Sequence, residues 1–131
     1  PKIKKCGNIH LHGFIDIESD KFAEILSQCG ILLNPSISEG CAVSVLNVLG
    51  NGALLPVYSA ATGINLSDVG ICVTDVTYNS FEEALLRLES TPVDVFEQKA
   101  LDAHNLIREK YTIEQYEKRM YDLLKEIIEK N

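Results

Sequence analysis

"NPSISEGCAVSVLNVLGNG" (residues 34–52) decides how the chain is read. The apolar run "ILL" leads into it, and Asn-Pro-Ser then turns the chain, the way a buried parallel strand ends. Beyond Glu39 and Gly40, "CAVSVLNVLGNG" has helical spacing with almost no polar face, and it stops at glycine. "ALLPVY" (53–58) follows as a second apolar strand. Strand, buried helix, strand is a βαβ unit with a right-handed crossover. Such a unit puts the loop around Glu39 at the carboxyl end of its strand, where open parallel sheets bind ligands.

The flanks extend this pattern. "NIHLHGF" (8–14) alternates and predicts a strand at 8–12. "SDKFAEILSQCG" predicts a helix capped by Ser19 or Asp20, with Phe22, Ile25, Leu26 and Cys29 on one face and Gly30 as the stop. Pro56 removes a ladder donor and predicts a strand end or an edge strand. "SAATGINLSDVG" is a loop of small residues, and "ICVTD" a fourth strand. Ser80 with Glu83, Thr91 before Pro92, and Thr112 with Gln115 each have the spacing of a helix start. Ile113, Tyr116, Met120, Leu123, Leu124, Ile127 and Ile128 predict one buried face on the last helix. The expectation is an α/β fold: a partial doubly wound, Rossmann-like parallel sheet of about four strands, with helices on both faces and a helical C-terminus, forming a single domain over 1–131.

The 131 residues suffice for one modest core. A net charge of -7 argues against nucleic acid as a partner; the cluster Lys2, Lys4, Lys5 lies at the terminus and reads as solvated. Cys6, Cys29, Cys41 and Cys72 form no Cys-x-x-Cys pair and read as buried free thiols in a reducing, cytoplasmic compartment. No apolar run is long enough for a membrane span, and no signal peptide is visible. The chain opens on Pro1 and reads as a piece of something longer.

At the start of the second helix, the amides of Gly40, Cys41, Ala42 and Val43 lack intrahelical acceptors. Gly40 would let a ligand approach the backbone, and the helix dipole favours an anion there. An ordinary strand-to-helix turn would contain the same residues, and neither a Gly-x-Gly nor a Walker pattern is present. Glu39 gains from the dipole even without a ligand. Alternatively, its carboxylate accepts hydrogen bonds from sugar hydroxyls.

These residues resemble the carboxyl-terminal, nucleotide-sugar-binding domain of GT-B glycosyltransferases of the retaining family-4 type, also called group 1. "NIHLHGF", "FAEILSQCGILLNPS", "SEG", Gly52, "GICVTD…SFEEALLRL" and "ALDAHNLIREKYTIEQYEKRMYDLL" match its pieces in order, over nearly the whole chain. The resemblance implies transfer of a sugar, with retention, from a nucleotide-diphosphate sugar to a hydroxyl acceptor such as a glycan or lipid-linked sugar, as in polysaccharide biosynthesis. It implies that Glu39 holds the donor sugar as the catalytic residue, with the amides of residues 40–43 on the diphosphate. It further implies that Ser36 lies in the substrate-binding Pro-Ser turn and that Phe14 and Ile15 lie near the base. No metal and no cofactor beyond the donor are implied. A cytoplasmic enzyme, peripheral to the membrane when complete, fits this family.

The departures are specific. The family's second Glu, which binds ribose, corresponds to Asn47. An amide can still bond a hydroxyl but loses the charge-assisted bond, on the order of 1 kcal/mol; a half-buried amide bonded to nearby backbone is the structural alternative. Ala53 stands where Pro is common, and the acidic residue after the "AATG" loop is replaced around Asn65. Two strand–helix units that supply an Arg and a Lys, and the N-terminal acceptor domain, have no counterpart in these residues. The expectation is a gap filled by unseen chain or another chain, or a sheet in which 8–12 and 31–34 pair directly. The fragment alone would be inactive. A degenerate, partner-binding domain is the second reading, and a flavodoxin-like signalling module the third, although no acidic cluster stands at the strand ends. His10 and His12 share a strand face but lack further ligands at metal spacing, His104 reads as exposed, and Ser36 and Ser44 lack triad partners. In the family the last helix reaches the other domain, so part of its stripe would await that partner.

Overall fold

A computed structural model describes residues 7–130. Its helices are α1 (Asp20–Ser27), α2 (Val43–Asn51), α3 (Tyr78–Glu89), α4 (Val93–Lys110) and α5 (Ile113–Glu129). Its strands are β1 (Ile31–Asn34), β2 (Leu55–Ser59) and β3 (Ile71–Val73), and a 3-10 turn, Ala60–Thr62, follows β2. The described residues form a three-stranded parallel sheet in the order β1-β2-β3, with Leu33 opposite Val57 and Tyr58 opposite Cys72. The chain is thus a mixed α/β structure with a helical carboxyl-terminal third.

β2 is buried at every position. Leu54 and Tyr58 join Val45 and Leu49 of α2 and Ala103 and Ile107 of α4 in one apolar cluster. Leu55 and Val57 join Phe81 and Ala84 of α3 and Ala100 of α4 in another. Each fully buried Val or Leu side chain among these is worth roughly 1.5–3 kcal/mol. His104 sews α4 to α2: its Nδ1–H donates to the Leu49 carbonyl at 2.7 Å, satisfying one of the open carbonyls in the last turn of α2. The expectation of an exposed His104 is therefore corrected, because this bond holds the ring half-buried.

Other expectations change for physical reasons. Residues 8–12 form no strand, and they do not pair with β1, whose only described neighbour is β2. A strand without a ladder leaves its backbone groups to water and has nothing to fix it. Pro56 lies in the central strand, not at an edge. The Leu55 amide donates toward β1, to Gly30, at 2.9 Å, so the alternating pattern turns the Pro56 nitrogen toward β3. The β2–β3 ladder begins one residue later, at Val57 opposite Ile71, so no bond is lost. Gly70 belongs to the same adjustment, since a Cβ there would lie 2.6 Å from the Pro56 ring and carbonyl.

Cys29, Cys41 and Cys72 are free but exposed, not buried. They fall beyond the end of α1, in the β1–α2 loop and on the edge strand β3, while Cys6 lies outside the described residues. Ser19 and Thr112 cap α1 and α5 as expected. Thr77 rather than Ser80 caps α3, because its Oγ1 accepts from the Ser80 amide at 3.2 Å. Pro92 rather than Thr91 precedes α4, and the Thr91 hydroxyl donates instead to the Arg87 carbonyl. The apolar stripe of α5, expected to be buried, has no buried residue. No helix among the described residues is long and apolar enough to cross a membrane.

The Tyr58 phenol ties the end of β2 to the next loop by accepting from the buried Leu66 amide at 2.8 Å. Burial pushes its pKa up from 10.0 to about 12; the Leu66 bond opposes the rise, while Cys72 and Asp68 add to it. Above pH 10 the unfolded chain ionises this group while the folded chain does not. Its contribution is therefore complete below pH 10 and declines as the pH rises toward 12. Replacing Tyr58 by Phe is expected to cost about 1–3 kcal/mol at neutral pH by orphaning the Leu66 amide. It should also flatten the alkaline loss of stability, and urea denaturation at pH 8 and pH 11 checks both outcomes.

Candidate functional site

The loop at 35–42 leaves the carboxyl end of β1. The Asn34 side chain starts it, accepting from the Ser36 amide at 3.0 Å. The loop is then fastened to the turn that follows β2. The Glu39 amide donates to the Ala61 carbonyl at 3.0 Å, and the Ala42 amide to the Thr62 carbonyl at 3.1 Å. Ser59 steadies that turn by accepting from the Ala61 amide at 3.0 Å. Gly63 closes it with φ 70, and a Cβ there would lie 2.7 Å from the Gly40 carbonyl oxygen. Two strand ends and two loops thus share one backbone latch.

The latch sorts the four amides singled out in the sequence. Ala42 is the N-cap of α2 and is buried, with its amide committed to Thr62. The Val43 amide turns to the Cys41 carbonyl at 2.9 Å. The amides of Gly40 and Cys41, with that of Ser44, have no acceptor among the described residues. Glu39 is half-buried, and its carboxylate accepts no hydrogen bond from a described residue. It precedes the N-cap by three residues, so it lies outside the first turn, where the dipole acts most strongly.

Asn47 lies one turn further along α2. It lines a cavity of about 330 Å³ together with Gly50, Asn51, Arg108, Tyr111 and Thr112. Its carbonyl accepts from Asn51 Nδ2 at 2.8 Å, whereas its own side-chain amide has no partner among the described residues. Phe14 is 98% exposed and Ile15 half-buried. The cavity beside α1 is lined by His10, His12 and Lys21, among others, rather than by Phe14 or Ile15. The latch therefore gathers residues 39–44, Asn47 faces the end of α4, and Phe14 and Ile15 join neither group by a described bond. No group of three or more His, Cys, Asp or Glu among the described residues is placed to hold a metal ion.

Sequence reasoning missed two features. Thr62 is fully buried, and its Oγ1 has no partner among the described residues; only the small-residue loop around it hinted at close packing. A cavity of about 720 Å³ lies between Leu33, Pro35 and Ile37 on one side and Tyr78, Phe81, Leu85 and Leu86 of α3 on the other. The adjacent leucines of "EEALLRL" were its only signal. Residues 22–86 contain no Lys, Arg or His, so any anion held by the loop would rely on backbone amides within that span.

Searches of protein-family models, curated proteins and solved structures find no match to the chain.

Gly63→Ala is expected to lower stability by roughly 1–3 kcal/mol, through its left-handed backbone and the collision with Gly40. Gly40→Ala meets nothing within 4 Å and should change stability by under about 0.5 kcal/mol. Urea melts of the two variants check the latch, and equal stability of Gly63→Ala and the parent would refute it.

Proposed function

We propose that the chain is a donor-binding portion of a retaining glycosyltransferase of GT-B architecture, completed by further chain that supplies the acceptor side. The observation that carries this reading is the latched loop. It holds the Gly40, Cys41 and Ser44 amides and the Glu39 carboxylate, all without partners among the described residues, at the carboxyl end of a parallel strand. Amides in such a place suit the oxygens of a diphosphate, and they stabilise the charge that grows on it as the sugar departs. Glu39 is suited to accept from sugar hydroxyls, and Asn47 to bond a ribose hydroxyl. The acceptor hydroxyl, on a glycan or lipid-linked sugar, would arrive from the opposite side, with the enzyme working in the cytoplasm and peripheral to the membrane.

The finer fold reading belongs with this proposal. The edge of β1 that no described strand pairs, and the apolar cavity beside it, suit further strand–helix units of a doubly wound sheet. A strand added parallel to β1, with a right-handed crossover, would continue the sheet outward. Those units would also bring the cations that residues 22–86 lack.

The same lack of cations, with Asn47 in place of a carboxylate, favours a second reading: a non-catalytic domain of this architecture that binds a partner. Titration with UDP- and GDP-sugars, followed by backbone amide shifts, separates the two. Donor binding predicts shifts at Gly40, Cys41 and Ser44. Glu39→Ala should weaken binding by one to two orders of magnitude, for about 1.5–3 kcal/mol of charge-assisted bonding. Asn47→Glu should strengthen it several-fold. No shift at those amides with any nucleotide sugar would sink the donor reading, and weaker binding by Asn47→Glu would remove the ribose role.

A further inference from the structure

We propose that α5 is a self-association helix that pairs antiparallel with α5 of a second copy of the chain. This inference stands apart from the donor-site reading. The helix runs 17 residues without a buried one, yet Ile113, Tyr116, Met120, Leu123 and Ile127 follow spacings of three, four, three and four. That is the a/d pattern of a coiled-coil seam, in which each side chain enters a hole between four residues of a facing helix. The side chains are in place for this, with Leu123 50% and Tyr116 60% exposed.

The flanking charges select the partner's direction. With Ile113, Met120 and Ile127 at a, and Tyr116 and Leu123 at d, the g positions hold Arg119 and Glu126, and the e positions hold Glu117 and Leu124. In a parallel pair, g faces the following e of the partner, so Arg119 would meet Leu124 and no opposite charges would meet. In an antiparallel pair, g faces g. Stacking Met120 on the second copy's Leu123, and Tyr116 on its Ile127, brings Arg119 to the second copy's Glu126, and the two-fold repeats the pair. Sliding the helices one heptad either way sets Arg119 against Arg119 or Glu126 against Glu126. One register alone thus combines four apolar layers with two opposite-charge pairs.

Both charges keep capacity for a further partner. Arg119 donates to the Lys110 and Gln115 carbonyls and lies over the Tyr111 ring, 5.9 Å from its centroid, which leaves further guanidinium N–H groups for a carboxylate. Among the described residues, the Glu126 carboxylate meets only the exposed Lys130 that caps α5, and such a pair has little hold. A membrane surface fits less well, because α5 carries five acidic residues (Glu114, Glu117, Asp122, Glu126, Glu129) against three basic ones (Lys118, Arg119, Lys125), whereas interfacial helices are rich in Lys and Arg.

Sedimentation equilibrium of the chain over about a hundredfold range of concentration tests the proposal by mass action. A monomer–dimer equilibrium is expected. Leu123→Asp, at an exposed position, should leave the helical circular dichroism of a folded chain and abolish the dimer. Arg119→Glu and Glu126→Arg should each weaken dimerisation, and the double exchange Arg119→Glu/Glu126→Arg should restore it, since only the antiparallel register faces these two positions. A monomer at every concentration, a dimer indifferent to Leu123→Asp, or a double exchange no better than the single changes would overturn the proposal. So would a monomer that instead floats with vesicles of acidic phospholipid.

Discussion

Everything else in the molecule depends on the burial of β2. A strand with five consecutive buried residues must find apolar partners for both alternating sets of side chains and hydrogen bonds for all its polar groups. Leu55 and Val57 meet α3 in one cluster, and Tyr58 meets α2 in the other. Pro56 fits because its missing donor falls where no ladder has begun. At the carboxyl end of the strand the polar groups are satisfied locally: the Tyr58 phenol by the Leu66 amide, the Ser59 hydroxyl by the Ala61 amide. The turn that satisfies Ser59 is also the turn that receives Glu39 and Ala42. Burial of the central strand and shaping of the loop before α2 are therefore one event.

The latch has a cost. Thr62 Oγ1 is buried without a partner among the described residues, a penalty of about 1–3 kcal/mol where nothing compensates it. In the same residue the carbonyl holds the Ala42 amide. Gly63 then brings the turn against the Gly40 carbonyl, closer than any side chain would permit. Backbone contacts at this point fix where the Gly40 and Cys41 amides lie. No Lys, Arg or His stands between Lys21 and Arg87, so the polar groups of this loop are backbone groups, hydroxyls, amides and Glu39.

Much of the layer pattern was legible in the sequence because it rests on local signals. The run 31–34, the apolar helix beyond Gly40 and the run through Val57 gave two strands and their crossover, and Ser19 and Thr112 announced two helix starts. Residues 8–12 misled because alternation reports a preference for one buried face, not the presence of a neighbouring strand. His104 misled because its partner, the Leu49 carbonyl, lies 55 residues away. The loop was recognised through Glu39 and Gly40. Its sorting of amides was not, since that depends on Ala61 and Thr62 carbonyls placed by β2. Asn47 was named through the family resemblance alone, and its cavity is made by Arg108 and Tyr111 at the far end of α4.

Hydrophobic periodicity names the residues that gain from burial and is silent on what buries them. The case is clearest in α5. A helix of this length is marginal by itself in water, and here Thr112 caps its first turn while Arg119 bonds back to the Lys110 carbonyl. Those contacts hold the start of the helix. They do nothing for Leu123, Leu124 or Ile128 near its other end, which are 50%, 53% and 74% exposed. The edge of β1, unpaired among the described residues, poses the same question in another geometry, with Leu33 46% exposed beside an apolar cavity. The two surfaces differ in what they ask for. An edge strand offers unpaired backbone groups and suits added sheet, whereas a heptad stripe offers only side chains and suits another helix. A single occupant is therefore a poor fit to both.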